Sequence, residues 1–287
     1  MVINYVTNAE LCNIVRNNLH KIPHDIDGVI GIPRGGMFIA TIISEYFNIP
    51  LYSVESFLFG SSIGSGEAGK TMKKSSHGKY LVVDDSASSG KSFKNIRAIF
   101  AERSEKFVYL AAVCDDRKNL DCVDIVLSYV RELRIFELNL FRIPFIRRSI
   151  IDFDGVLCEN PPRDIDKDEE KYIEFMKTAK PMFPLCYPPL AICTGRLLKY
   201  SKETISWLRE RGISYGKLYM LDIPSIEEKL EKMNTPSVKN MKATVYKKHK
   251  EAALFIESDK IEAMHIYNCT GRPVLCIGNN TLYQNQK

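Results

Sequence analysis

No apolar run in this 287-residue chain reaches the ~18 residues that a membrane-spanning helix requires. The opening residues, Met1-Val2-Ile3-Asn4-Tyr5, lack the basic stretch and apolar core of a secretory signal. A cytoplasmic protein without an integral membrane segment is therefore expected. The 8 cysteines include no Cys-x-x-Cys pair, which argues against a zinc site or a disulfide framework. Cys114, Cys193 and Cys276 fall in apolar, strand-like runs and read as buried reduced thiols. The 13 prolines and 16 glycines form no low-complexity tract, and no internal repeat is present. The net charge of +5 is too mild to argue for a nucleic-acid partner, although it suits phosphate-bearing ligands.

What is present is an alternation of short apolar runs, turns and helical segments, the pattern of an α/β protein with parallel sheets. The length allows two domains of roughly 100–200 residues each. In the first half, strands are expected at 28–32, 51–57, 80–83 and 108–113, with helices at 37–46 and 93–103. Residues 59–78, rich in Gly, Ser and Lys, should form a mobile loop. The pattern breaks near 140–148, where Arg142, Pro144, Arg147 and Arg148 intervene. It restarts with strands at 149–152, 190–193, 217–220, 254–256 and 274–277, and helices at 201–211 and 242–249. Two domains follow from this, 1–146 and 149–287.

The strongest local signal is Tyr80-Leu81-Val82-Val83-Asp84-Asp85-Ser86-Ala87-Ser88-Ser89-Gly90-Lys91-Ser92. An apolar strand runs into two adjacent carboxylates, then a loop of small hydroxyl residues, then a helix. Backbone N–H groups at such a helix start can hold a phosphate dianion. Paired acids at a strand end can accept hydrogen bonds from ribose hydroxyls. The segment resembles the PRPP motif of type I phosphoribosyltransferases. That resemblance implies ribose binding by Asp84 and Asp85 and a 5-phosphate cradle formed by Ser86, Ala87, Ser88, Ser89, Gly90, Lys91 and Ser92. Upstream, Gly31-Ile32-Pro33-Arg34-Gly35-Gly36 stands where the family carries its pyrophosphate loop. Glycines allow close backbone approach there, and Arg34 offers a forked charge. Lys70, Lys73 and Lys74 fall in the position of the family's flexible loop. The resemblance also implies Mg²⁺ and transfer with inversion at the anomeric carbon. Purine-salvage members usually carry an Asp where this chain has Ser88, which argues against a purine acceptor.

The second half contains Ile150-Ile151-Asp152-Phe153-Asp154-Gly155-Val156-Leu157, which resembles the first motif of the haloacid dehalogenase superfamily. The resemblance implies that Asp152 is the nucleophile and Asp154 the acid and base. Ala191-Ile192-Cys193-Thr194-Gly195-Arg196 is similar to the second motif, in which Thr194 and Gly195 hold phosphoryl oxygens. Leu254-Phe255-Ile256-Glu257-Ser258-Asp259 is similar to the acidic fourth motif. A Mg²⁺ ion would be held by Asp152, Asp154 and either Glu257 or Asp259. The resemblance implies a third-motif lysine ahead of this strand, and the Lys-Ala-x-x-Tyr spacing similar to relatives points to Lys242, with Lys247 as the alternative. The thirty or so residues between the first two motifs are few for a lid domain, so a Rossmann-like fold with minimal cap is expected.

Together the resemblances imply two Rossmann-like domains that act in sequence. The first transfers 5-phosphoribosyl from PRPP and the second removes the phosphate. Systems that place ribofuranose in bacterial surface polysaccharides combine the same two activities, which points to a glycan or lipid-linked glycan acceptor. A nucleobase phosphoribosyltransferase joined to a nucleotidase remains the alternative. A homo-oligomer is compatible with either.

Overall fold

Side chains that alternate in direction every residue give the central strands of the first half two apolar faces. Val29, Leu81, Val83, Leu110 and Ala112 belong to one core cluster. Ile30, Val82, Tyr109 and Ala111 belong to another. A strand buried on both sides reads as a continuous apolar run, the mark of a parallel sheet covered by helices. The structure, a computed structural model, describes residues 2–63, 78–115, 117, 121–131, 133–162, 165, 168–232 and 235–285. Lys70, Lys73 and Lys74 lie outside the described residues. The chain divides into two compact units, Ile3–Leu138 and Asn139–Lys287.

The first unit runs β1 (Asn4–Val6), α1 (Asn8–Asn17), β2 (Gly28–Gly31), α2 (Gly35–Phe47), β3 (Leu51–Ser53), α3 (Val54–Leu58), β4 (Tyr80–Ala87), α4 (Lys91–Ile99), β5 (Phe107–Cys114), β6 (Ile125–Tyr129) and β7 (Arg134–Phe136). Five strands form a sheet in the order β3-β2-β4-β5-β6, and every pairing in it is parallel. Leu11 and Val15 of α1 and Ile39 and Ile43 of α2 cover one face. Phe93 and Ile96 of α4 cover the other. Strands β1 and β7 pair separately, also in parallel.

The expected strand at 51–57 stops at Ser53, because Ser53 caps a helix. Its Oγ accepts from the Ser56 N–H (3.1 Å), and the Ser56 Oγ accepts from the Ser53 N–H (2.9 Å). This reciprocal pair satisfies the first-turn donors and turns the chain into α3. The expected helix at 93–103 begins earlier, at Lys91, and ends at Ile99.

The second unit runs β8 (Ser149–Ile151), α5 (Glu169–Thr178), β9 (Ala191–Leu197), α6 (Ser201–Glu210), β10 (Lys217–Leu221), α7 (Ile226–Lys232), α8 (Pro236–Lys239), α9 (Met241–Lys248), β11 (Leu254–Glu257), α10 (Lys260–Thr270), β12 (Val274–Cys276) and β13 (Thr281–Tyr283). Its sheet has the order β10-β9-β8-β11-β12-β13. All pairings are parallel except the antiparallel edge of β12 with β13. Both units are thus α/β with parallel sheets. Residues 139–148, where the sequence pattern breaks, pack within the second unit. There the Phe141 ring stacks on Phe183 at 4.6 Å, and the Cys186 N–H donates to the Phe141 carbonyl. Between β8 and β9 the one helix among the described residues is α5, which packs through Tyr172 and Met176. A second short insertion, α7 and α8, precedes α9. Among the described residues no helix is long and apolar enough to cross a membrane.

Candidate functional sites

In each unit the singled-out residues collect at the carboxyl ends of neighbouring parallel strands, where helix starts and loops converge.

In the first unit, β2 and β4 are adjacent and end together. The Ile32 N–H donates to the Val83 carbonyl at 2.8 Å, which brings the Pro33–Gly36 turn against Asp84 and Asp85. A Cβ on Gly36 would lie 2.3 Å from the Val83 carbonyl oxygen, and one on Gly35 would lie 2.0 Å from Asp85 Oδ2. Only glycine allows this approach. The Pro33–Arg34 peptide bond is cis, and Arg34 stands exposed at the start of α2. The two segments noted separately in the sequence therefore form one surface.

Asp84 and Asp85 are themselves crowded. The Asp85 N–H donates to Asp84 Oδ1 at 2.9 Å. Burial, and then the neighbouring Asp85 charge, push Asp84 up to about 8. Burial also raises Asp85, against hydrogen bonds from Ser86 and Asp84 and the charge of Arg134. Two carboxylates that resist joint ionisation suit a ligand that brings cations or hydroxyl donors. Beyond them, residues 86–93 line a hollow of about 160 Å³. Gly90, in the left-handed region (φ 69°), starts α4 without a side-chain cap, and Lys91, Ser92 and Phe93 of its first turn line the hollow. Lys91 contributes its N–H to Ser89 Oγ at 3.4 Å. Arg134, on β7, donates to Ser88 Oγ at 2.7 Å and to the Ala87 carbonyl at 3.3 Å. It was not singled out from the sequence, since it lies 46 residues downstream of Ser88 with no local pattern around it. Asp115, at the end of β5, is also new. It is fully buried and accepts from Arg117 Nε (2.8 Å) and Nη2 (2.5 Å).

In the second unit, β8, β9 and β11 are neighbours. The Asp152 N–H donates to the Ile256 carbonyl at 2.9 Å, which fixes Asp152 opposite Glu257. Lys242 reaches in from the first turn of α9. Its Nζ lies 2.9 Å from Asp152 Oδ2, 2.7 Å from Glu257 Oε2 and 2.9 Å from Glu262 Oε2. Burial opposes the ammonium's charge, but Asp152, Glu257 and Glu262 outweigh it and hold Lys242 well above its ordinary value. Burial, and then the Glu257 charge, push Asp152 well above the usual carboxylate range, with Lys242 opposing. Lys247 is exposed.

Oxygens of Asp152, Glu257 and Glu262 lie within 4.8 Å of one another. Three carboxylates thus surround one ammonium. Hard oxygen donors fit Mg²⁺, so the residues present suit that ion. Of the acids singled out for this role, Asp152 and Glu257 come together. Asp259 accepts from the Glu262 N–H at 2.8 Å and caps α10. Asp154 is turned to Arg196, whose Nη2 lies 2.6 Å from Oδ1 and whose Nε lies 3.0 Å from Oδ2. Glu262 was missed because it sits on the following helix, outside any strand-end motif.

Thr194 is fully buried, and its Oγ1 accepts from the Arg196 N–H at 3.2 Å. Gly195 offers its carbonyl to Lys229 Nζ at 2.9 Å. Gly155 has φ 76°, and a Cβ there would meet Ser258 Oγ at 2.4 Å. The Ser258 hydroxyl in turn donates to the Asp154 carbonyl at 3.1 Å, which locks the turn after the two aspartates. Burial and the adjacent Asp154 push the Cys158 thiol up.

No protein-family model matches the chain, and no curated protein matches it. Among solved structures it is similar to a purine phosphoribosyltransferase from Pyrococcus horikoshii, with 18% identity, a TM-score of 0.35, and coverage of 48% of this chain and 94% of that one. It is also similar to a xanthine-guanine-hypoxanthine phosphoribosyltransferase from Helicobacter pylori, with 15% identity, a TM-score of 0.34, and coverage of 47% and 92%. A hypothetical protein from Neisseria gonorrhoeae with bound ppGpp aligns at 13% identity and a TM-score of 0.36, covering 50% and 93%.

Proposed function

We propose that the chain is a bifunctional enzyme that transfers 5-phosphoribosyl from PRPP to an acceptor and then hydrolyses the 5-phosphate. The observation that carries the reading is the cluster of Asp152, Lys242 and Glu257 at the strand ends, where Lys242 Nζ sits 2.9 Å from Asp152.

In the first unit the residue 86–93 hollow would hold the 5-phosphate, and Asp84 and Asp85 would take the ribose hydroxyls. Arg34 and the N–H groups of the Gly35–Gly36 turn would face the pyrophosphate. The bond from the anomeric carbon to the pyrophosphate oxygen breaks, and pyrophosphate leaves with the electron pair. An acceptor hydroxyl oxygen bonds to the same carbon from the opposite face and gives up its proton to the departing pyrophosphate or to solvent. Ser88 has no carboxylate to hold a purine nitrogen, so a sugar hydroxyl is the favoured acceptor, on a bacterial glycan or lipid-linked glycan.

In the second unit Asp152 attacks phosphorus, and the bond from phosphorus to the ribose 5-oxygen breaks. Asp154 delivers a proton to that oxygen. Water then attacks the aspartyl-phosphate, Asp154 recovers the proton and phosphate departs. Thr194, the Gly195 N–H and Lys242 hold the phosphoryl oxygens. Mg²⁺, held by Asp152, Glu257 and Glu262, would supply charge neutralisation of the phosphoryl group. Removal of the phosphate makes the preceding reversible transfer run forward.

The test uses ribose-labelled PRPP with Mg²⁺ and a bacterial membrane and lysate fraction. Wild-type protein is compared with Asp152→Asn, and the labelled product is weighed by mass spectrometry. Label in glycan, with phosphate retained only in the variant, supports the two-step reading. Label confined to soluble nucleotides or nucleosides overturns the glycan acceptor.

A further inference from the structure

In the second unit, basic side chains that the phosphoryl-transfer steps do not use line a pocket beside the reaction centre. A pocket of about 550 Å³ opens from Gly195 and Lys242. One wall is apolar, made by Leu221, Val238 and Met241. The others carry Lys229, Lys239 and His265, which come from three separate elements, α7, α8 and α10. Two acids also line the pocket, Asp259 and Glu262, and both are engaged. Asp259 caps α10 and Glu262 pairs with Lys242. Lys229 is anchored to the Gly195 carbonyl at 2.9 Å, beside the turn assigned to the phosphoryl oxygens. His265 donates through Nε2 to Asn240 Oδ1 at 2.8 Å, which fixes its ring next to the Lys239 segment. Lys239 is exposed.

We infer that this pocket receives the alcohol part of the phosphomonoester and that this part carries a second anionic group, a phosphate or a carboxylate, recognised by Lys229 and Lys239 with His265 at the rim. The inference rests on the phosphatase reading of the second unit and narrows its substrate. The apolar wall suits the C–H face of a sugar ring. The cations suit a second anion on the same molecule, because Lys229 and Lys239 line the pocket that also holds Gly195 and Lys242. A substrate of this kind is a phosphoribosyl unit attached to an acidic or phosphorylated acceptor, rather than a free sugar phosphate.

The test measures kcat/KM with Mg²⁺ for three probes: ribose 5-phosphate with one anion, fructose 1,6-bisphosphate with a second phosphate, and 6-phosphogluconate with a carboxylate. Wild-type protein should prefer at least one two-anion probe by about 10-fold or more, the strength of a charge-assisted contact. Which of the two is preferred identifies the anion. The ratio of two-anion to one-anion kcat/KM should fall toward unity in Lys239→Ala and in Lys229→Ala. Calorimetric binding of the same probes to Asp152→Asn gives a reading independent of turnover, and its Kd ratios should follow the same order. If ribose 5-phosphate is hydrolysed as well as both two-anion probes, the second-anion site is wrong and the phosphatase reading stands. If Asp152→Asn turns over every probe as fast as wild type, the phosphatase reading fails and the inference falls with it. Equal ratios in wild type and in the lysine variants overturn the roles of Lys229 and Lys239.

Discussion

Arg196 grips Asp154 along one edge of its guanidinium, with Nη2 2.6 Å from Oδ1 and Nε 3.0 Å from Oδ2. The same guanidinium lies 4.0 Å over the Phe153 ring, and its side chain is fully buried. A planar, pre-organised fork of this kind holds a carboxylate in one orientation. Asp154 is thereby kept out of the Asp152, Glu257 and Glu262 set and aimed by a fixed neighbour. Burial weakens the Arg196 charge, but Asp154 more than restores it.

If Asp154 protonates the departing oxygen, its loss should matter in proportion to how much the leaving group needs that proton. Asp154→Asn should lower kcat on ribose 5-phosphate by about 100-fold or more, within the span of general acid catalysis. On p-nitrophenyl phosphate, whose phenolate leaves unaided, the loss should be about 10-fold or less in the same measure. Steady-state rates on the two esters decide it, and equal losses would remove Asp154 from the acid role. Arg196→Lys keeps the charge and loses the fork. It should depress both rates while leaving the PRPP-dependent pyrophosphate release proposed for the first unit unaffected.

The crowding around Lys242 makes a stability prediction. Asp152 is buried beside Glu257 and is pushed up by both effects. A carboxylate whose folded value is raised costs stability as pH climbs past its unfolded value. Asp152→Asn should therefore melt higher than wild type at pH 8 in EDTA. Mg²⁺ stabilises whichever form binds it, so the wild type should gain more and the gap should narrow. Differential scanning fluorimetry with EDTA and with Mg²⁺ tests this. A wild-type melting point that does not respond to Mg²⁺ would count against the three-carboxylate site. Lys242→Ala removes the ammonium from three carboxylates and should destabilise the fold by about 3–5 kcal/mol.

The strand-end motifs were legible because their chemistry is local. Asp84-Asp85 and Asp152 each follow an apolar run, and a parallel strand buried on both faces announces itself. Lys242 could be picked out only through its spacing from the acidic strand, while Lys247, five residues later, is exposed. What escaped was long-range. Glu262 reaches Lys242 across 20 residues, Arg134 reaches Ser88 across 46, and Lys229 reaches Gly195 across 34. None sits in a motif, and each is one of many charged residues. The strand β1, three residues long, finds its partner β7 about 130 residues away, a pairing no local pattern encodes. Helix α3 was hidden for a different reason. Val54 and Phe57 favour strand on propensity, and the Ser53–Ser56 capping pair overrides them.

A pH dependence follows from Asp84. Burial and Asp85 raise it to about 8 from an ordinary 3.8. The folded protein then keeps a proton that the unfolded chain has lost. Stability contributed at low pH is lost progressively as pH rises from the unfolded value, and the loss is complete above the folded one. Asp84→Asn removes this dependence. Its melting temperature should match wild type near pH 4 and exceed it by about 5 °C at pH 9, given the usual slope of Tm with stability. Ligand-free thermal melts across that range test it, and a constant offset would show that Asp84 does not carry the proton.

Gly35 and Gly36 are adjacent but should fail in different ways. A methyl on Gly36 would lie 2.3 Å from the Val83 carbonyl oxygen. That oxygen is backbone in the centre of the sheet and already accepts from the Ile32 N–H, so it cannot yield. Gly36→Ala should cost about 1–3 kcal/mol, the range of an overpacked site, and lower the melting temperature. A methyl on Gly35 meets Asp85 Oδ2 at 2.0 Å, which is the end of a side chain and can rotate away. Gly35→Ala should therefore fold with near-wild-type stability. The displaced Asp85 would no longer face the Pro33–Gly36 turn, so PRPP affinity should fall by about 10-fold or more, the cost of one charge-assisted contact. Thermal melts combined with titration of PRPP separate the two variants. Unchanged PRPP binding in Gly35→Ala would show that Asp85 does not hold the donor.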